Sequence, residues 1–97
     1  MSLSNRQLRF LRGLTHHLKP VVTIGDKGLS ENVKAEIEIA LNHHELIKIK
    51  LRTDRETRAS LADQIQSSFR AEPVNSIGQV VCFFRRNPDK PVIGLPV

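Results

Sequence analysis

The segment Val21–Ser30 constrains the fold of this chain more than any other part of it. The β-branched run Val21–Ile24 predicts a strand, and a helical pattern begins by Ser30, so Gly25-Asp26-Lys27-Gly28 must form a tight connecting loop. Glycine at both ends of the loop permits positive φ angles and the close approach of another backbone. The next helix points its unpaired N–H groups and the positive end of its dipole toward the loop. Together with the Lys27 ammonium, these groups are expected to bind one or two phosphates.

Apolar residues at helical spacing predict one helix ahead of this loop and two after it. The first helix begins at Ser4, which forms a capping-box pattern with Gln7, and it ends before Pro20. Its apolar face consists of Leu3, Leu8, Leu11, Leu14 and Leu18. The opposite, polar face carries Arg6, Arg9, Arg12 and His16.

The apolar stripe of the second helix extends to His44, so a buried and hydrogen-bonded histidine is expected there. On the outer face of the same helix, Lys34 and Glu38 are expected to pair across one turn. The third helix has two competing caps, since Thr53 forms a capping-box pattern with Glu56 while Asp54 could cap by itself. Its apolar positions are Leu61, Ala62, Ile65 and Phe69.

The stretch Glu45–Arg52 alternates strictly between apolar residues and cations, which predicts a strand buried on one face. The apolar positions are Ile47, Ile49 and Leu51, and the cations are Lys48, Lys50 and Arg52. Three neighbouring cations without an acid between them repel one another, and a phosphate-bearing partner would offset that repulsion. The alternative is a solvated row of cations that binds nothing.

A terminal hairpin is predicted from Val74–Ile77 and Val80–Arg85, joined by the two-residue turn Gly78-Gln79. Its second strand is apolar at both parities, so it is expected to be central or covered on both faces. Phe83 and Phe84 are accordingly expected in the core, although stacking on a base is the alternative if one face is open. The tail Val92–Leu95 is a candidate for a short edge strand.

These elements follow the order α-β-α-β-α-β-β in one compact α/β domain that comprises residues 1–97. Alternation of strands and helices gives a parallel strand pair with a right-handed crossover, and the hairpin adds an antiparallel pair. The expected architecture is a mixed four-stranded sheet with the helices packed on one of its faces.

The charge balance is basic, with 15 Lys and Arg against 10 Asp and Glu, a net charge of +5 and a pI of about 10.0. Such a balance favours a polyanionic partner, with added lysines for solubility as the plainer alternative. The single cysteine, Cys82, excludes an internal disulfide and fits a reducing compartment. The N-terminal segment lacks an apolar signal core, and no apolar stretch is long enough to span a bilayer, so a cytoplasmic protein is expected.

The candidate polyanion contacts lie on the first helix, in the glycine-flanked loop, on the cationic strand and just after it. They are Arg6, Arg9, Arg12 and His16; Gly25, Asp26, Lys27 and Gly28; Lys48, Lys50 and Arg52; and Arg55. The sequence leaves open whether these groups share one surface. If they do, binding would be dominated by the phosphate backbone and would weaken with salt.

Catalytic and metal-dependent functions are not favoured by the sequence. The adjacent pairs His16-His17 and His43-His44 diverge by about 100° if helical, so neither pair chelates a metal as a unit, and no metal or other cofactor is expected. The loop lacks the four-residue spacer and the Lys-Ser/Thr pair of a nucleotide-binding P-loop. No nucleophile and base stand in a recognisable sequence context, so a non-enzymatic protein is expected.

Five blocks of the sequence, in this order, resemble the CRM domain family (chloroplast RNA splicing and ribosome maturation), in particular its stand-alone bacterial YhbY-type members. The blocks are Leu11–Pro20, Gly25–Leu29, Ala35–Glu38, Asn42–Lys50 and Asp54–Thr57. A lone GxxG would be weak evidence, whereas the five blocks in this order are strong evidence, and the resemblance covers nearly the whole chain. Arg86 departs from the pattern, because a proline is expected there in close relatives.

The resemblance implies a fold similar to the C-terminal domain of translation initiation factor three. It also implies a GxxG loop comparable with the loop of KH domains, which clamps a nucleic-acid backbone. Gly25, Lys27 and Gly28 would take that role, and the basic residues around them would contact RNA. Bacterial family members associate with precursors of the large ribosomal subunit, so the implied partner is ribosomal RNA, bound by a monomer. Two alternatives remain: an adaptor that reaches the ribosome through protein contacts, and a DNA-binding protein.

Overall fold

The computed structural model describes residues 3–97 and contains three helices and four strands within that range. The helices are α1 (Asn5–Thr15), α2 (Glu31–His44) and α3 (Arg55–Phe69), and the strands are β1 (Pro20–Ile24), β2 (Leu46–Leu51), β3 (Glu72–Ile77) and β4 (Val80–Phe84). They form one sheet in the order β1-β2-β4-β3, in which β1 and β2 are parallel and the other pairs antiparallel. The predicted element order and mixed four-stranded sheet are confirmed.

The helices cover both faces of the sheet, so the expectation that all of them pack on one face is wrong. α2 and α3 cover the face that carries Ile49 and Phe83. α1 packs on the opposite face, where Leu11 meets Leu46 and Phe84. Successive strand residues point to opposite faces, so Leu46 and Phe84 provide a second apolar surface for the α1 leucines.

β4 lies in the interior of the sheet, which agrees with the prediction from its apolar side chains on both faces. β4 lies between β2 and β3, and its residues Val81–Phe84 are buried. Phe83 belongs to the core under α2 and α3, and Phe84 belongs to the core under α1. Both rings are closed off from solvent, so the base-stacking alternative is wrong for these two residues.

Both edge strands of the sheet contain a proline and a break in the pairing register. In β1 the register shifts between Pro20 and Val22, and in β3 it shifts between Pro73 and Asn75. Proline has no N–H to donate to a strand ladder, so it is tolerated at edges and bulges. The interior strands β2 and β4 pair with each other without interruption.

Side-chain caps fix where the helices begin. The predicted capping box of α1 is confirmed, because Ser4 Oγ accepts from the Gln7 N–H at 3.1 Å and Gln7 Oε1 accepts from the Ser4 N–H at 3.0 Å. The cap of α3 is Asp54 rather than Thr53, because Asp54 Oδ1 accepts from the Thr57 N–H at 2.7 Å. A carboxylate also interacts favourably with the positive end of the helix dipole, which Thr53 could not do.

The end of α2 differs from the sequence interpretation. His44 is exposed rather than buried, because the helix stops there and the next residue, Glu45, turns the chain with φ 60°. Lys34 pairs with Glu31 at 3.6 Å, and Glu38 pairs with Arg85 at 2.8 Å, so the expected Lys34–Glu38 pair is absent. The pKa of Glu38 is lowered, mainly because its carboxylate accepts hydrogen bonds from the Arg85 guanidinium.

Glu45 fastens the C-terminal tail to the domain. Its side chain is fully buried, and its carboxylate accepts from the backbone N–H groups of Asn87 (2.7 Å), Val92 (2.8 Å) and Ile93 (2.7 Å). Burial by itself raises the pKa of Glu45, but these three donors and the charge of Arg86 together hold that pKa below its ordinary value.

The tail closes the second core without forming the edge strand that was a candidate there. Ile93 and Leu95 pack against the α1 core, and no residue between 92 and 95 is in a strand. Arg86, where the resemblance led us to expect a proline, donates from Nη1 to the Ile93 carbonyl at 2.7 Å. Within residues 3–97, no helix is long and apolar enough to cross a membrane.

Candidate nucleic-acid interface

The loop between β1 and α2 is a tight turn with its two polar side chains in solvent. The Gly28 N–H donates to the Gly25 carbonyl at 3.0 Å, and Gly28 has φ +63°. Asp26 and Lys27 occupy the tip and are exposed. An added Cβ at either glycine would meet no atom within 4 Å, so the outer surface of the loop is open to a ligand.

The two glycines are expected to respond differently to alanine. Gly28→Ala should lower the free energy of unfolding by about 1–2 kcal/mol, because an L-residue is strained at positive φ. Gly25→Ala should change it little, since Gly25 lacks a positive φ and its Cβ would project into open space. Urea denaturation of both variants measures the difference. Equal destabilisation of the two variants would contradict this account of the turn.

The start of α2 contributes less to anion binding than the sequence suggested. Two residues separate Gly28 from the first helical residue, and the cap, Ser30, already accepts from the Val33 N–H at 3.3 Å. The first turn also carries the exposed acid Glu31, which offsets part of the positive end of the helix dipole. Attraction for phosphate at the loop therefore depends mainly on the Lys27 side chain and on cations from neighbouring elements.

Cations of β2 and α3 lie at the same end of the sheet as this loop. The Arg52 N–H donates to the carbonyl of Ile24, the last residue before the loop, at 2.8 Å. Lys50 pairs with Thr23 across the parallel strands, so both side chains lie on the sheet face that α1 partly covers. Arg55 begins α3 three residues after Arg52. The structure thus brings Lys27, Lys50, Arg52 and Arg55 to one end of the domain.

Lys48 and His16 lie farther along the same sheet face. They line one cavity between the end of α1 and the strands, together with Asn75 and Cys82. Asn75 was not predictable from the sequence, because its place beside Cys82 depends on the register shift in β3. Burial raises the pKa of the Cys82 thiol, with Lys48 acting in the opposite direction, so this cysteine stays neutral.

The arginines of α1 lie apart from the loop. Arg12 donates from Nε to the Val74 carbonyl of β3 at 2.9 Å, and Arg6 donates from Nη1 to the Val97 carbonyl at 3.4 Å. β3 is the sheet edge opposite to β1, from which the loop departs. Arg9 is exposed on the same helix. These three residues therefore form a second basic area, separated from the loop by the width of the sheet.

Charge is segregated between the two layers of the domain. Residues 3–30 and 46–52, which contain α1, β1, the loop and β2, carry eight Lys and Arg and one acid, Asp26. The helices α2 and α3, on the other face of the sheet, carry five acids and three Lys and Arg. A polyanion is therefore attracted to the side of the sheet that holds α1 and the loop.

Among residues 3–97, no three His, Cys, Asp or Glu side chains are placed to hold a metal ion.

The fold and the loop define a class of protein: a small mixed α/β domain with an exposed glycine-flanked turn on the basic side of its sheet. The model of the CRS1 / YhbY (CRM) domain matches residues 3–85. The chain therefore belongs to the CRS1/YhbY (CRM) domain family.

Relatives across bacteria agree with this membership. An "RNA-binding protein" of Haemophilus influenzae is 49% identical over 85 residues, which are 87% of this chain and 86% of the relative. A protein of Pseudomonas aeruginosa, named as a probable RNA-binding protein, is 43% identical over 89 residues, or 91% and 86% of the two chains. The solution structure of a Staphylococcus aureus protein, described as a candidate RNA-binding protein, matches with a TM-score of 0.82 and 31% identity over 98% of this chain and all of that one.

Proposed function

We propose that this chain binds RNA without catalysing a reaction, gripping the sugar-phosphate backbone with its Gly25–Gly28 loop and the cations beside it. The observation that carries this proposal is that exposed Lys27 lies at the same end of the sheet as Lys50 and Arg52. The names of the relatives support RNA as the polyanion. The open surface of the loop leaves room for a backbone to approach both glycines.

We further propose that the RNA is ribosomal RNA in precursors of the large subunit, a step supported by the family resemblance. Crosslinking in cells followed by sequencing of the bound RNA tests it directly. Crosslinks concentrated in large-subunit ribosomal RNA are expected. Crosslinks spread over messenger RNA, or confined to the small subunit, would overturn this part of the proposal and leave RNA binding itself in place.

Salt dependence tests the backbone grip. Binding to a single-stranded ribosomal RNA fragment should weaken steeply as salt rises, with each phosphate contact adding about 0.7 to the slope of log K against log salt. Lys27→Ala should reduce that slope by about 0.7, and the triple alanine variant of Lys48, Lys50 and Arg52 should reduce it by about 2. Fluorescence anisotropy at several salt concentrations measures both values.

Duplex DNA of equal charge is the competitor in these titrations, and it should displace the RNA poorly. Efficient displacement would favour the DNA-binding alternative. Unchanged slopes in both variants would contradict the backbone grip and favour an adaptor that reaches the ribosome through protein contacts.

A further inference from the structure

A cavity of about 250 Å³ opens on the sheet face beside the end of α1. Val80 and Cys82 of β4 and Ile77 of β3 give it apolar walls. Thr15, Asn75 and Lys48 add polar groups, and none of the described residues that line it is acidic. The cavity thus combines apolar surface with hydrogen-bonding groups and a positive charge, in the manner of a site for a planar polar ligand.

One of its polar groups is only weakly engaged within the protein. Among residues 3–97, Asn75 Nδ2 makes one long hydrogen bond, 3.4 Å, to Thr15 Oγ1, which itself donates to the Arg12 carbonyl at 2.6 Å. An amide held this loosely can exchange its partner at little cost, and it presents one donor and one acceptor side by side. Those are the groups that read the polar edge of a nucleobase.

The cavity is continuous with the proposed RNA-binding end of the sheet. Lys48 lines it, Lys50 follows on β2 toward the loop, and Arg52 comes directly after the end of that strand. Two residues of a strand advance about 6.6 Å, so Lys48 and Lys50 are about 6.6 Å apart along β2 and Arg52 lies beyond them. A short segment of single-stranded RNA bound at the loop therefore reaches the cavity along a path that carries these cations.

We infer that this cavity takes the base of an unpaired nucleotide in the RNA whose backbone the loop binds. This inference rests on the proposed function and adds to it a site for one base. The apolar walls contact the faces of the base, Asn75 hydrogen-bonds its edge, and Lys48 meets a neighbouring phosphate. Ile77, a residue that is 67% exposed, lies at the rim and is covered when the base is bound.

Abasic substitution separates contacts with the base from contacts with the backbone. Single-stranded RNAs that each lack one base at a different position are compared with the intact RNA by anisotropy at fixed salt. One position should weaken binding to the wild-type protein about tenfold or more, because the apolar contacts and the hydrogen bond of one base are lost. The other positions should have small effects, because the charge of the backbone is unchanged.

Two variants of the cavity test whether the sensitive base binds there. Val80→Phe fills the cavity and should abolish the penalty for the missing base, while Asn75→Ala should reduce it. Gln66→Phe, which places the same ring on exposed α3, should keep the full penalty. An equal penalty in wild type and in a folded cavity variant, or no sensitive position, would overturn the inference. If intact RNA shows no salt-dependent binding, the proposed function itself is overturned. If Val80→Phe does not fold, the comparison of Asn75→Ala with the wild type still tests the inference.

Discussion

Glu45→Gln is expected to lower the free energy of unfolding by about 2–4 kcal/mol, because it places an amide NH₂ among buried N–H donors. In the native protein Oε1 accepts from Val92 and Ile93, and Oε2 accepts from Asn87. Glutamine supplies one acceptor oxygen, so at least one of these donors loses its partner and faces another donor. Chemical denaturation at neutral pH measures the loss. Glu36→Gln, an exposed change on α2, is the control and should alter stability little.

The pH dependence of stability should single out the same carboxylate. The pKa of Glu45 is lowered on folding from an ordinary value of 4.5, so its contribution to stability is present above pH 4.5 and is lost as pH falls through the folded value. The difference in stability between the wild type and Glu45→Gln should therefore narrow in acid. A constant difference from neutral pH into acid would show that the Glu45 charge is not what holds the tail.

Reversing the charge of Lys50 and Arg52 together should weaken RNA binding about a hundredfold or more, since two proposed phosphate contacts would become repulsions. The matched control is Lys34→Glu with Lys90→Glu, which changes the net charge equally on α2 and in the tail. That variant should lose only a fewfold in affinity, because its charges lie outside the proposed binding face. Anisotropy at one salt concentration measures both, with thermal melting as the check on folding.

A similar loss of affinity in the two reversal variants would mean that binding responds to net charge alone. The proposed face would then have no special role. A large effect of the control pair and a small effect at Lys50 and Arg52 would move the interface to the helix layer. Either result would contradict the segregation of charge as the basis of binding.

Local sequence signals were sufficient for most of the fold. The capping box at Ser4, the alternation in β2 and the turn at Gly78 each involve residues close in the chain, and each is found as predicted. The family resemblance rests on the same local blocks, and the match over residues 3–85 confirms it. The exposure of the loop tip was likewise predictable from its composition of two glycines and two charged residues.

Features that depend on distant pairing were not predictable in this way. The packing of α1 on the opposite face follows from the register that brings Leu46 beside Phe84. The role of Glu45 depends on donors more than 40 residues away, and from the sequence this residue resembled the start of a strand. The α1 arginines are separated from the loop because of the strand order, which the periodicity of apolar residues along the sequence does not determine.

The prolines and register shifts in β1 and β3 affect how the domain can associate with other chains. A regular sheet edge presents a row of free N–H and C=O groups, which can template addition of a foreign strand or growth of an aggregate. Here both outer strands interrupt that row, at Pro20 and Val22 on one side and at Pro73 and Asn75 on the other. Docking by strand addition is disfavoured at both margins, so recognition falls to loops and side chains, and edge-to-edge polymerisation of the domain is disfavoured as well.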